Sequence, residues 1–111
     1  MDIMSGDPEV FYEILKIAEF DEWFAQQTVK TKVIVAARLQ RIIFDNHFGT
    51  INTFDDLIEL KWAGGLRVYT HRFGKKTLII LLGGNKNGQD RDIRKAKKIL
   101  AKVIEEISDG L

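Results

Sequence analysis

Apolar and polar positions recur along this chain with two different periods, and the change from one to the other divides it into elements. Phe11, Ile14 and Ile17 suit a helix as well as a strand, and the run Phe11-Tyr12-Glu13-Ile14-Leu15-Lys16-Ile17 is read as a first strand. Phe20, Trp23 and Phe24 then share one face of a helix whose first turn holds Asp21 and Glu22, where the macrodipole favours carboxylates. Thr28 to Phe44 predicts a longer second helix. Its apolar stripe is Val29, Val33, Ala36 and Ile43 with Val35, Leu39 and Ile42, while Lys30, Lys32, Arg38, Gln40 and Arg41 take the wet side. The short connection at Gln27-Thr28 predicts an antiparallel helical hairpin. Asp45-Asn46-His47-Phe48-Gly49 ends the second helix, with Gly49 expected at positive φ and His47 as punctuation.

A period of two follows. Leu57 to Trp62 alternates, with Ile58, Leu60 and Trp62 on one face and Leu57, Glu59 and Lys61 on the other. Gly64-Gly65 turns the chain into a strand of Leu66, Val68, Thr70 and Arg72 against Arg67, Tyr69, His71 and Phe73. Gly74-Lys75-Lys76 leads to Leu78-Ile79-Ile80-Leu81-Leu82, apolar on both faces and therefore central or covered. The last helix is expected to start near Asn87 as N-cap, with Asp90 three residues on. Ile93, Ala96, Leu100, Val103, Ile104 and Ile107 keep helical spacing beside Arg94, Lys95, Lys97, Lys98 and Lys102. The order is β-α-α-β-β-β-α, an α+β fold with a small antiparallel sheet. Residues 1–10, with Gly6, Asp7 and Pro8, are read as a flexible lead-in, and 11–111 as one domain.

Composition removes several classes of function. With no Cys there is no disulfide framework, cysteine zinc site or cysteine nucleophile. No apolar run approaches the eighteen or so residues of a membrane span, and no basic-then-apolar start reads as a signal peptide, so a cytoplasmic protein is expected. The net charge of +1 hides an asymmetry: residues 1–60 hold 5 basic and 11 acidic side chains, residues 61–111 hold 12 and 5. The basic half can face a polyanion, or both halves can be solvated surface.

By register, Glu59, Lys61, Arg67, Tyr69 and His71 stand on one face of adjacent strands, expected to be open. Arg67 and Lys61 can hold a phosphate, Tyr69 can stack a base, and His71 or Glu59 can move protons. Metal-free RNA cleavage needs such a set: a base for the ribose 2′-hydroxyl, cations for the charge on phosphorus, and an acid for the leaving oxygen. The plainer alternatives are a Glu59–Arg67 cross-strand ion pair and an exposed polar histidine at 71. Lys86, between Gly83-Gly84 and a helix start, is a candidate anion contact, though the spacing matches no Walker motif. Arg72, Lys75 and Lys76 are further candidate phosphate contacts. No His/Asp/Glu cluster has metal-ligand spacing, and no cofactor is expected.

Several runs resemble one family: Glu59-Leu60-Lys61, Gly65-Leu66-Arg67-Val68-Tyr69, Ile80-Leu81-Leu82-Gly83-Gly84-Asn85-Lys86, and Gln89-Asp90-Arg91-Asp92-Ile93-Arg94-Lys95-Ala96. With Glu19-Phe20-Asp21-Glu22-Trp23-Phe24 upstream, they resemble the HigB-like, phage-derived "addiction module killer protein" branch of the RelE/ParE toxin superfamily. The most specific part is Gly-Gly-x-Lys-x-x-Gln-x-x-Asp-Ile. The resemblance implies a RelE-like fold, a small antitoxin partner of helix-turn-helix type, and mRNA cleavage on the ribosome. ParE relatives inhibit DNA gyrase instead, and a degenerate antitoxin-binding module is a third class. By position, Arg67 matches the sheet arginine of the RNA-cleaving members, Lys61 falls where this branch usually has arginine, and Lys86 matches its loop lysine. No aromatic or histidine follows Phe73, so the C-terminal tyrosine of some RelE toxins has no counterpart.

Overall fold

The computed structural model describes residues 10–110, so the lead-in read at residues 1–10 lies outside the described residues but for Val10. The chain runs β1 (Glu13–Lys16), α1 (Ala18–Ala25), α2 (Val29–Asp45), β2 (Ile51–Phe54), β3 (Leu57–Lys61), β4 (Leu66–Phe73), β5 (Thr77–Asn85) and α3 (Gln89–Asp109). The α+β class is as expected. The strands form one sheet in the order β1-β5-β4-β3-β2, antiparallel from β2 to β5. Two features go beyond the expected meander of three strands. Ile51–Phe54 adds an edge strand against β3, and β1 pairs with β5 in parallel, so the sheet is mixed at that edge.

Two apolar layers explain why β5 is hydrophobic on both sides. On one face Leu60, Val68, Leu78 and Ile80 pack under Phe20 of α1 and Val35, Leu39 and Ile42 of α2. On the other, Leu57, Tyr69, Ile79, Leu81 and Leu82 lie under Ala96, Ile99 and Leu100 of α3. A register shift between Tyr69 and Thr70 leaves Leu81 as the extra residue of β5, and so Leu81 and Leu82 both reach the α3 layer. No described helix is long and apolar enough to cross a membrane.

The helix ends depart from expectation in instructive ways. Thr28 caps α2 by accepting from the Thr31 amide at 3.1 Å, which begins the helix at Val29. Asn46, at φ 55°, is its left-handed terminator, while Gly49 also has the expected positive φ of 73°. The buried stripe of α2 is narrower than its apolar positions suggest. Only Val35, Leu39 and Ile42 are buried, while Val29 and Val33 are 77% and 60% exposed. Asn87 does not cap α3. Asn85 instead accepts from the Asn87 amide at 2.9 Å and opens a 3₁₀ turn, Lys86–Gly88, which delays α3 to Gln89.

Candidate functional site

Charge gathers at one end of the sheet, where β3 closes, β4 begins and β5 ends. The tight turn there rests on Gly64 and Gly65, both with positive φ (89° and 104°). Antiparallel register sets Lys61 directly opposite Arg67, and Glu59 opposite Tyr69. Gly65 also lies under the aliphatic stem of Lys86, whose Cγ would be 3.1 Å from a Cβ at that position, and the Lys86 amide donates to the Gly65 carbonyl at 2.8 Å. Lys61, Arg67 and Lys86 therefore converge on one edge.

The face shared by Glu59, Lys61, Arg67 and Tyr69 is not open, contrary to the expectation from register alone. Glu59 and Tyr69 are both 0% exposed, sealed beneath the start of α3. Glu59 Oε2 accepts from Gln89 Nε2 at 2.7 Å, and Oε1 lies 3.9 Å from Arg67 Nε. The Asn52 amide lies beside both Glu59 and Lys61, and its two orientations serve them in turn: in one its Nδ2 donates to Glu59 Oε1 at 3.3 Å, and turned over its oxygen accepts from Lys61 Nζ at 3.2 Å. Arg67 Nη1 donates to the carbonyls of Trp62 (3.1 Å) and Leu66 (2.9 Å), which folds the guanidinium against the hairpin and leaves its side chain 12% exposed. Arg67 Nε and the Tyr69 hydroxyl are buried without hydrogen-bond partners.

Burial, then the Glu59 carboxylate beside it and Asp92, push the Tyr69 phenol well above its ordinary range; Arg67 pulls weakly the other way. Tyr69 is thus a neutral buried side chain and no platform for a base. Because the folded state holds this proton more tightly than the unfolded one, the contribution of Tyr69 to stability is fully present below about pH 10 and is lost above it. Urea unfolding followed by circular dichroism should show a flat profile from neutral pH to about 9, then a fall of up to about 1.4 kcal/mol per pH unit. Tyr69→Phe should remove that fall at little cost near neutrality, since among the described residues the hydroxyl makes no well-formed hydrogen bond, only a close approach to the Glu59 carboxylate.

The Gly83-Gly84 pair is not a loop; both residues belong to β5. A Cβ at Gly83 would collide with the Trp23 ring, and one at Gly84 with the carboxylate of Asp92. Arg67 pairs with Gly84 across the sheet. The missing side chain lets the first turn of α3 settle beside Arg67, which puts Gln89 on Glu59. Gly84, Lys86, Gln89 and Asp92 are thus one docking device for α3, with Ile93 packing into the layer beneath, while Gly83 admits Trp23 of α1 on the other face.

Other candidates lie elsewhere. His71 is four residues along β4 from Arg67, roughly 13 Å at ~3.3 Å per residue. Its Nδ1 is 2.7 Å from the Asp56 carbonyl, which can only accept, so Nδ1 carries the hydrogen. Arg72 donates to the Tyr12 hydroxyl at 3.0 Å on the hairpin side, and Lys75 and Lys76 belong to the β4–β5 turn at the opposite end of the sheet. The structure does not bring these four together with Arg67. Gln89, Asp92 and Asn52 stood outside the candidate set. Gln89 and Asp92 were visible only as members of the Gly-Gly-x-Lys-x-x-Gln-x-x-Asp pattern. Among the described residues no three His, Cys, Asp or Glu side chains gather as metal ligands.

No family model matches the chain. An uncharacterised protein of Haemophilus influenzae is 37% identical to it over 82 residues, 70% of this chain and 82% of that protein. The two belong to one family. Among solved structures, a chain of the RelBE2 toxin-antitoxin complex of Mycobacterium tuberculosis superposes with a TM-score of 0.51 at 12% identity, covering 71% of this chain and 95% of that one. The fold is RelE-like. Within the RelE-type fold, Lys61, Arg67 and Lys86 occupy the sheet end, and α3 closes over Glu59 and Tyr69.

Proposed function

We propose that the protein is the toxin of a toxin-antitoxin pair and cleaves mRNA. The observation that carries this reading is the Lys61–Arg67 pair, two cations directly opposite each other on adjacent strands with Lys86 at the same edge. Like charges in that position are destabilising, and an anion between them relieves the repulsion. The RelE-type fold, found in a toxin-antitoxin complex, supports the same assignment.

The chemistry follows from which groups reach the surface. Lys61, Lys86 and the exposed edge of Arg67 stabilise the charge that develops on the phosphoryl oxygens when a ribose 2′-hydroxyl attacks its own phosphodiester. The 2′-hydroxyl gives its proton to water, the bond to the 5′-oxygen breaks, and that oxygen leaves with a proton from water. Glu59, held by Gln89, orients Arg67 from beneath, and Tyr69 packs below it. His71, at the other end of β4, stands apart from this step. Because the chain's buried carboxylate and phenol do not reach the surface, alignment of the 2′-hydroxyl must come from how the RNA is held. That requirement favours RNA fixed on the ribosome over free transcript. A small antitoxin, of the helix-turn-helix kind that the resemblance implies, would neutralise the protein by covering this cationic edge or α3.

Induced expression without an antitoxin is expected to arrest growth and leave transcripts cut at defined sites, read by primer extension. Arrest with intact transcripts and altered plasmid topology would move the activity to DNA gyrase. Normal growth would leave a binding module.

A further inference from the structure

A second concavity of about 400 Å³ lies on the opposite face of the same sheet end, lined by Arg38, Arg41, His47, Gly49, Thr50 and Trp62. Arg38 is its fixed element. Its Nε donates to the Phe48 carbonyl at 2.7 Å, and Nη1 and Nη2 donate to the carbonyls of Lys61 and Thr50. Its Cζ stands 4.4 Å above the Trp62 ring. Three of five N–H donors are thereby used, and all their acceptors are neutral, so the charge is held in place without a counter-ion. Arg41, one turn further along α2, brings a second guanidinium; with burial, its proximity lowers the pKa of Arg38. Among the described residues no carboxylate lines the pocket, and Asp45, four residues beyond Arg41, makes no ion pair with it.

We infer that this pocket binds a phosphate of single-stranded nucleic acid, a second contact for the strand held at Lys61 and Arg67. The two sites share the last residues of β3. Arg38 grips the Lys61 carbonyl from one face, and Arg67 bonds the Trp62 carbonyl from the other. A strand crossing the β3–β4 turn meets both. The Trp62 ring pins the Arg38 guanidinium over its face, and the continuity of this pocket with the Lys61–Arg67 edge favours a nucleic-acid strand over an acidic peptide. The inference rests on the nucleic-acid part of the proposed function and not on cleavage.

The test is fluorescence anisotropy with a labelled single-stranded 2′-deoxy oligonucleotide, which has no 2′-hydroxyl and stays intact, across a salt series. Arg41 is exposed and makes no side-chain hydrogen bond among the described residues, so Arg41→Ala should fold normally. It should bind about 5–10-fold more weakly at low salt and reduce the log–log salt slope by about 0.7, one phosphate's share. Lys61→Ala should do the same. Unchanged affinity and slope in Arg41→Ala beside weakened Lys61→Ala would overturn the second contact and leave the proposed function standing. Arg41-dependent binding by a protein that leaves transcripts intact in cells would support the pocket and remove the nuclease. Failure of the wild-type protein to bind the oligonucleotide would overturn the pocket.

Discussion

Arg67→Ala is expected to abolish growth arrest and lower transcript cleavage by roughly 10²–10³-fold, the usual loss when one donor to a developing oxyanion is removed. Arg67 is the cation that connects the surface edge to the buried carboxylate: part of its side chain is exposed, while Nε lies 3.9 Å from Glu59. The same link complicates the variant. Without the arginine, Glu59 stays buried with only the neutral groups of Gln89, Asn52 and Tyr69 beside it among the described residues, and stripping one partner from a buried pair typically costs about 3–5 kcal/mol. Arg67→Ala with Glu59→Gln removes the stranded charge, should recover most of the stability, and should remain inactive. Arg67→Lys keeps the charge but not the planar guanidinium, which bonds the Trp62 and Leu66 carbonyls through Nη1 while Nε faces Glu59, so partial activity is expected. A folded double variant that cleaves transcripts at the wild-type rate would remove Arg67 from the mechanism.

Periodicity alone located the hairpin, β3, β4, β5 and α3, because each carries its apolar residues at a spacing that only one geometry satisfies. It missed β2 because Ile51-Asn52-Thr53-Phe54 is an edge strand with three of its four residues exposed, so no alternation was required of it. The parallel pairing of β1 was equally hidden, since direction at an edge depends on what the strand meets in space. Register predicted correctly which side chains share a face, with Glu59 opposite Tyr69 and Lys61 opposite Arg67. Exposure of that face was a tertiary matter. The clue lay in β5, whose two apolar faces need two covers, and α3 is the cover left once the hairpin is placed. Gln89 and Asp92 read as ordinary first-turn residues of a helix. Their contacts with Glu59 and Gly84 arise between positions 30 and 8 residues apart that only the packed helix brings together. Arg38 and Arg41 read as solvated helix surface for the same reason.

Gly83→Ala is expected to destabilise the protein by about 1–3 kcal/mol, the range for overpacking a filled interior. At roughly 4–8 °C per kcal/mol for a domain near this size, the thermal midpoint should fall by about 4–24 °C in scanning calorimetry. In an unhindered strand the substitution would help, because alanine has less conformational freedom to lose than glycine. Here the Trp23 ring lies against the Gly83 backbone and is itself braced by Phe20, with ring centroids 5.8 Å apart, so it has little room to withdraw. The sign of the effect therefore depends on the indole. In a Trp23→Ala background the same Gly83→Ala change should become neutral or stabilising, a coupling of about 0.5–3 kcal/mol in a double-mutant cycle. Equal losses in both backgrounds would mean that the ring is not what excludes the methyl. Gly84→Ala should behave differently although it is the adjacent residue. Its methyl meets the Asp92 carboxylate, which sits on the first turn of α3, so relief comes from lifting that turn away from the sheet. Lifting it breaks the Gln89–Glu59 hydrogen bond and frees Arg67 to reorient, so Gly84→Ala should lose more activity than its loss of stability accounts for.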